Sequence, residues 1–175
     1  LEERLLASGK KEVYDEVVNL AHFANITYIR QKETRGLGHA ISCAKAFVGD
    51  EPFAVLYGDD VILGEDPACG QLIRAYNETG KGVVGVKEVS EEAIQRYSSL
   101  KVEPLHDNWF TCTDMIEKPS KDKIMSLYSI LGRCVLPPQI FDILAHTAPG
   151  AGGEIQLTDA MCELVRTESM IAVDF

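Results

Sequence analysis

An uninterrupted apolar run, Pro52-Phe53-Ala54-Val55-Leu56-Tyr57, ends abruptly at Gly58-Asp59-Asp60. A run of this kind is typical of a strand that is buried on both faces, as in a parallel sheet. Two carboxylates directly after such a strand are costly unless water, a cation or hydrogen-bond donors lie nearby. The segment therefore predicts a central strand that ends either in a magnesium-binding pair of acids or in a turn capped by an Asp side chain.

Helix and strand patterns alternate on both sides of this run. The predicted elements are helix 11–23, strand 26–31, helix 39–47, helix 67–79, strand 82–89, a hairpin of strands 100–105 and 109–117, strand 129–136, a short helix ending at 144, helix 158–166 and a last strand from 170. This alternation predicts an α/β fold, a three-layer α/β/α sandwich around a mixed, mostly parallel sheet. No linker divides the pattern, so we expect one domain over residues 1–175.

Polar residues follow several of the predicted strands. Sites in such sheets lie beyond the carboxyl ends of the strands, where Gln31, Asp59-Asp60 and Glu117-Lys118 are expected. A lysine there can meet a phosphate, and a glutamate can accept protons from hydroxyls. An exposed Glu-Lys pair is equally compatible with a solvated surface, and Gly36-x-Gly38 with a plain turn. Glu154 follows a glycine-rich loop that is either flexible or ligand-binding.

Composition excludes several classes of function. The net charge of −10 disfavours non-specific nucleic-acid binding, and no apolar run approaches the ~20 residues that span a bilayer. Five cysteines without a C-x-x-C pair indicate reduced thiols in a cytoplasmic protein, and the histidines lack zinc-ligand spacing. A dinucleotide-binding oxidoreductase is disfavoured because the third glycine of its fingerprint would fall at Ile41.

Six segments in a fixed order carry a resemblance to a known family. They are Arg30-Gln31, Gly36-Leu37-Gly38-His39-Ala40, Phe53 to Asp60, Glu117-Lys118-Pro119, Gly132-Arg133 and Pro149-Gly150-Ala151-Gly152-Gly153-Glu154-Ile155-Gln156-Leu157-Thr158-Asp159-Ala160. In order and approximate spacing they resemble bacterial UTP–glucose-1-phosphate uridylyltransferases (UDP-glucose pyrophosphorylases) over essentially the whole chain. The last segment is the most specific, whereas G-D-D and E-K-P are common to sugar nucleotidyltransferases more widely.

The resemblance implies a nucleotidyltransferase fold of the glycosyltransferase-A type, which is Rossmann-like. It implies the reaction of UTP with glucose 1-phosphate to UDP-glucose and pyrophosphate, with Mg²⁺ as cofactor. By position it assigns uracil contacts to Gln31 and Gly36, the metal ligand to Asp59 with Asp60 as neighbouring support, glucose hydroxyls to Glu117 and Glu154, close backbone approach to the sugar to Gly132, and the sugar phosphate to Lys118. It also implies a homo-oligomer.

Two rivals remain open at the level of the sequence. Another sugar nucleotidyltransferase, thymidylyl- or guanylyl-, shares most of the motifs. A non-catalytic regulatory or assembly module could keep the same fold without turnover.

The chain also departs from the pattern of the family. It lacks the N-terminal G-x-G-T-R loop that cradles the triphosphate and the downstream aspartate that completes the metal site. We therefore expect an incomplete fold, a central portion without either end, that is poorly active or inactive by itself. Ser98-Ser99 stands where relatives often have Gly, which leaves a sugar contact there unassigned.

Overall fold

The computed structural model describes residues 2–175, except the side chains of Glu2 and Ala21. One compact unit ends at Arg30, and a second comprises Gln31–Phe175. The first contains α1 (Glu2–Ala7) and α2 (Lys11–Phe23), which confirms the helix predicted over residues 11–23. The strand predicted over 26–31 is wrong, since these residues have no regular structure. Strand backbone needs a hydrogen-bonded neighbour, and no strand among the described residues pairs with them.

The second unit contains the remaining α-helices and the strands. They are α3 (Leu37–Ser42), α4 (Lys45–Val48), β1 (Phe53–Leu56), α5 (Ala68–Thr79), β2 (Val83–Glu88), β3 (Ser98–His106), β4 (Trp109–Glu117), β5 (Tyr128–Leu136), α6 (Ile140–His146), α7 (Leu157–Glu168) and β6 (Met170–Asp174). The predicted elements are confirmed in type, except that helix 39–47 is divided in two. The division follows from a tighter turn, in which the Ala44 N–H bonds to the Ile41 carbonyl three residues earlier.

The six strands form one mixed sheet in the order β1-β5-β2-β6-β4-β3. Of its pairings, β2–β6 is parallel, whereas β1–β5, β5–β2, β6–β4 and β4–β3 are antiparallel. The α/β class and the mixed sheet are thus confirmed, but the predicted parallel majority is wrong. Apolar runs report burial rather than the direction of a neighbour, and β5 returns antiparallel between β1 and β2.

Strand β1 lies at the edge of the described sheet, where it pairs with β5 alone. Val55 is buried, but Ala54 and Leu56 are exposed, Leu56 by 55%. The prediction that this strand is buried on both faces is therefore wrong for the described residues. The face that carries Val55 and Phe53 packs on the core, where the Phe53 ring stacks on Phe141 at 4.9 Å between centroids.

Helices cover both faces of the sheet, which confirms the three-layer sandwich. On one face α5 packs through Leu72 and Ala75 against a cluster that includes Val135 of β5. On the other face α6 and α7 pack on the main core, which includes Cys134 and Leu136. Neighbouring residues of β5 thus point to opposite layers, as strand geometry requires. Within residues 2–175 no helix has the length and apolarity needed to cross a membrane.

A bulge interrupts β5 where the sheet faces the end of β1. The pairing of β5 with β2 moves from Val84–Cys134 to Val86–Ile130, so the intervening residues of β5 leave the regular ladder. Gly132 lies in this bulge with a left-handed φ of 47°, and its carbonyl accepts a hydrogen bond from the Tyr57 N–H at 2.8 Å. The bulge therefore links β5 to the turn that follows β1.

Candidate active site

The Asp59-Asp60 turn is held by a buried arginine of β5. Arg133 is 9% exposed, and its Nη1 donates to the carbonyls of Gly132 at 2.6 Å and Tyr57 at 3.0 Å. Its Nη2 donates to the carbonyl of Asp60. Each of these acceptors is a main-chain carbonyl, so the guanidinium fixes the path of the backbone on both sides of the two acids.

The Asp60 side chain lies directly against Gly132. A Cβ at position 132 would be 2.1 Å from Oδ2 of Asp60 and 2.8 Å from its Cγ. Together with the left-handed φ, this contact explains the glycine, because any side chain there would displace the aspartate. Asp59 is exposed. The structure thus brings together three of the predicted site residues.

A cavity of about 500 Å³ opens at this turn, and we call it the acidic cavity. Its lining consists of Tyr57, Asp59, Asp60, Lys87, Val89, Tyr97, Ser129, Ile130, Leu131 and Gly132. Lys87, exposed near the end of β2, was missed by sequence reasoning. The signal that could have found Lys87 was its place near the end of a strand, at the same edge of the sheet as the Asp59-Asp60 turn. Its ammonium gives the cavity a cationic group suited to a phosphate.

The donor chemistry of the turn fits a magnesium ion. Two carboxylates, Asp59 and Asp60, line the acidic cavity. No group of three or more His, Cys, Asp or Glu side chains that could hold a metal occurs among the described residues. Magnesium is commonly bound by one or two carboxylates together with substrate phosphates and waters. The residues present therefore suit an ion shared with a phosphorylated ligand rather than one enclosed by protein.

Glu117 opens onto a second, smaller cavity of about 120 Å³, which we call the glutamate cavity. Its lining consists of Leu37, Tyr57, Tyr97, Ser98, Glu117, Ile130, Gln156, Leu157 and Thr158. Tyr57, Tyr97 and Ile130 line both cavities, so the two adjoin. Thr158, in the first turn of α7, donates from Oγ1 to Oε2 of Glu117 at 2.8 Å and thereby orients the carboxylate.

Lys118 has an unusual backbone conformation. Its φ is 47°, and its N–H donates to the Tyr97 carbonyl at 2.8 Å. A left-handed conformation costs a residue other than glycine about 1–2 kcal/mol. The side chain is exposed and lines neither cavity. The structure therefore does not join Lys118 to the acidic cavity.

The predicted base-binding loop meets the segment that carries Glu154. Gly36 has a φ of 101°, and a Cβ there would be 2.7 Å from the Cβ of Glu154 and 2.8 Å from the Ile155 carbonyl. The Ile155 N–H donates to the Arg35 carbonyl at 2.8 Å. Gly36 and Glu154, far apart in sequence, are therefore in contact because glycine allows the two main chains to approach.

Gln31 is anchored within the same loop. Its Nε2 donates to the Gly36 carbonyl at 3.2 Å and lies 3.0 Å from Nδ1 of His39. Glu154 is exposed, and its Oε2 accepts from Nε2 of Gln156 at 3.3 Å. Neither Gln31 nor Glu154 lines the acidic or glutamate cavity, whereas Leu37, next to Gly36, lines the latter.

Ser98 is turned into the sheet. It is 4% exposed, its hydroxyl accepts the Ile130 N–H at 3.1 Å and lies 3.3 Å from the hydroxyl of Ser129. The side chain therefore ties β3 to β5, although these strands are not neighbours in the sheet.

Tyr57 was also missed by sequence reasoning, because it reads as the last residue of the apolar run that begins at Pro52. Burial raises the pKa of its phenol well above 10, and Cys134, Glu117, Asp60 and Asp59 raise it further. The phenol therefore remains protonated at neutral pH. Beneath it, burial raises the pKa of the Cys134 thiol to about 12, which makes this cysteine an inert core residue.

Curated proteins match the chain over its whole length. The chain is 47% identical to UTP–glucose-1-phosphate uridylyltransferase 2 of Staphylococcus saprophyticus over 100% of its own length and 61% of that protein. It is 43% identical to UTP–glucose-1-phosphate uridylyltransferase of Bacillus subtilis over 100% of its own length and 60% of that protein. The chain thus spans about 60% of the length of these curated relatives.

A solved structure shows the same architecture. UDP-glucose pyrophosphorylase complexed with UDP-glucose superposes with a TM-score of 0.89 at 34% identity, over 96% of this chain and 64% of that one. The Nucleotidyl transferase family matches residues 5–175, which include both cavities and the loop around Gly36. This match includes the six-stranded mixed sheet and the turn after β1. The chain belongs to the nucleotidyl transferase family.

Proposed function

We propose that the complete protein containing this chain converts UTP and glucose 1-phosphate to UDP-glucose and pyrophosphate. The observation that carries the proposal is the adjacency of the Asp59-Asp60 turn and Glu117, which line adjoining cavities. The first offers oxygen ligands for a metal-bound phosphate, and the second a carboxylate for hydroxyl groups. Relatives that carry the name of this activity share 43–47% of the residues of the chain.

The chemistry needs little covalent help from the protein. A phosphate oxygen of glucose 1-phosphate forms the new bond to the α-phosphorus of UTP, and the bond from that phosphorus to the leaving pyrophosphate oxygen breaks. No general base is required, since the attacking phosphate is already ionised. Mg²⁺, when bound, offsets the charge of the phosphates. Asp59, supported by Asp60, would hold this ion, and the chain would otherwise act by positioning two anions.

The remaining roles follow the resemblance residue by residue. Gln31 and Gly36 would contact the uracil, and an amide side chain can both donate to and accept from a base edge. Glu117 and Glu154 would bind glucose hydroxyls. Gly132 would admit the sugar close to the backbone, and Lys118 would neutralise the phosphate of glucose 1-phosphate after a change in its side-chain conformation.

The context of the chain is part of the same proposal. Residues 1–175 would supply the central part of one nucleotidyltransferase domain and be poorly active in isolation. The complete protein would be a cytoplasmic homo-oligomer that binds neither nucleic acid nor membrane. The net charge of −10 supports the lack of nucleic-acid binding.

The test is pyrophosphate release by the complete protein with Mg²⁺, glucose 1-phosphate and UTP, compared with dTTP and GTP. We expect turnover with UTP, and we expect Asp59→Ala to lower kcat/KM by about 100-fold or more. Asp66→Ala is the matched control, because Asp66 is an exposed acid just before α5 that pairs with Arg74 of this helix.

Preference for dTTP or GTP would assign the protein to a different nucleotide class. A folded protein that is inert with all three nucleotides would refute the enzyme assignment and favour an assembly module. Full activity of Asp59→Ala would refute the metal role of this turn.

A further inference from the structure

Tyr57 borders both cavities. Tyr57 lines the acidic cavity and the glutamate cavity alike. Its hydrogen bonds within residues 2–175 are made by its main chain, and its phenol oxygen is not among the fully buried polar atoms that lack a partner. A phenol oxygen without a protein partner that is not fully enclosed is accessible, so a ligand can bond to it.

The position of this hydroxyl is fixed by the surrounding structure. The Tyr57 N–H donates to the Gly132 carbonyl at 2.8 Å, and the Tyr57 carbonyl accepts from Nη1 of Arg133 at 3.0 Å. The ring packs against the main core. A group held by the backbone on both sides and by packing of its ring is preorganised for binding, because little freedom remains to be lost when a ligand arrives.

The groups around the phenol decide what it can do. Glu117 lines one of the cavities that Tyr57 lines, and Asp59 and Asp60 line the other. A phenol hydroxyl has an O–H to donate and carries no charge. Such a group can donate a hydrogen bond to an oxygen-rich ligand without adding to the charge that repels an anion.

We propose that Tyr57 is a substrate-binding residue that donates a hydrogen bond to the sugar ring of the hexose phosphate, between Glu117 and the Asp59-Asp60 turn. This inference rests on the proposed function and deepens it. The sugar is favoured over the base because neither proposed uracil residue, Gln31 or Gly36, lines these cavities, whereas one of the two glutamates proposed for the sugar does. This glutamate, Glu117, shares its cavity with Tyr57.

The test compares UDP-glucose with UDP as ligands of the complete protein by isothermal calorimetry. Tyr57→Phe removes one oxygen and keeps the ring. We expect the Kd of UDP-glucose to rise about three- to tenfold while the Kd of UDP is unchanged. The KM for glucose 1-phosphate should rise by a similar factor. Tyr76→Phe is the matched control, because Tyr76 packs with the cluster on the opposite face of the sheet.

The other outcomes are equally informative. Unchanged affinity for UDP-glucose, or equal losses for UDP and UDP-glucose, would overturn the assignment of Tyr57 to the sugar. If Tyr57→Phe and the unsubstituted protein unfold at the same temperature, a loss of affinity for UDP-glucose is not caused by a loss of folding. If the unsubstituted protein neither binds UDP-glucose nor turns over, the proposed function itself fails, and this inference fails with it.

Discussion

The Asp59-Asp60 turn and the Glu117-Lys118 turn both follow a strand, yet different interactions hold them in place. A single guanidinium binds three main-chain carbonyls around the first turn. The second turn relies on the Lys118 N–H bonded to the Tyr97 carbonyl and on one side-chain hydrogen bond from Thr158 to Glu117. The first turn is therefore positioned as a unit, whereas in the second the main chain at Lys118 and the side chain of Glu117 are held by separate contacts.

This difference predicts that the first turn is the more sensitive of the two. We expect Arg133→Met in the complete protein to lower the free energy of unfolding by about 3–5 kcal/mol, because three carbonyls lose a buried donor. We also expect kcat/KM to fall about 100-fold and the affinity for Mn²⁺, measured by paramagnetic resonance in the presence of UTP, to fall about tenfold.

Two control variants separate position from charge. Arg133→Lys keeps the cation but cannot reach all three carbonyls, so we expect only partial recovery of metal affinity. Arg74→Met removes an exposed arginine that is paired with Asp66, and it should change stability by less than about 1 kcal/mol. Normal metal affinity and turnover in a folded Arg133→Met protein would show that the guanidinium does not position the turn.

A smaller and more selective effect is expected in the second turn. Thr158→Val removes the hydroxyl that donates to Glu117 while keeping the shape of the side chain. We expect the KM for glucose 1-phosphate to rise about tenfold with little change in kcat or in the KM for UTP, because a hydrogen bond to a charged group contributes about 1.5–3 kcal/mol. Steady-state kinetics with each substrate varied in turn provides the measurement.

Thr158→Ser keeps the hydroxyl and should restore the KM for glucose 1-phosphate. Thr167→Val, at the exposed end of the same helix, should have no effect on either KM, since its hydroxyl donates to the Leu164 carbonyl of the same helix. Equal changes in both KM values for Thr158→Val would contradict separate positioning of Glu117.

The smallest expected effect concerns Tyr57, which lines the cavities at both turns. Its folded-state pKa is raised above the ordinary value of 10.0, so the unfolded chain loses the phenol proton first as the pH rises. The stability that the neutral phenol contributes is complete below pH 10.0 and is lost as the pH rises towards the folded-state pKa.

Urea unfolding at several pH values provides the measurement. The difference in the free energy of unfolding between the unsubstituted protein and Tyr57→Phe should be constant between about pH 7 and 9 and fall by about 1 kcal/mol near pH 11. A difference that stays constant over the whole range would show that the phenol is not protected from ionisation in the folded protein.

Much of the fold could be predicted from the sequence because its elements are set by local patterns. The strand at β2, the hairpin of β3 and β4 and the helix α7 follow from apolar periodicity and turn residues within a few positions of each other. The predicted strand 26–31 failed because β-branched residues favour a strand but do not supply a neighbour to pair with. The predicted strand direction was wrong for the same reason, since β5 enters between β1 and β2 from a distant part of the chain.

In the candidate site, too, local sequence determined one part and tertiary contacts determined the other. The sequence by itself determined where acids and glycines occur at strand and loop ends, and hence the candidates Asp59, Asp60, Glu117 and Gly36. It also determined the family, because the motifs and their order are properties of the chain.

Only the tertiary structure decided which residues hold these candidates. Arg133 reaches the carbonyl of Asp60, Thr158 reaches Glu117, and Tyr57 lines both cavities, although long stretches of chain separate most of these partners. Such contacts depend on the order of strands in the sheet and on the bulge at Gly132, and no local pattern specifies either. A hydrogen bond between distant residues exists only once packing has brought its donor and acceptor within about 3 Å of each other.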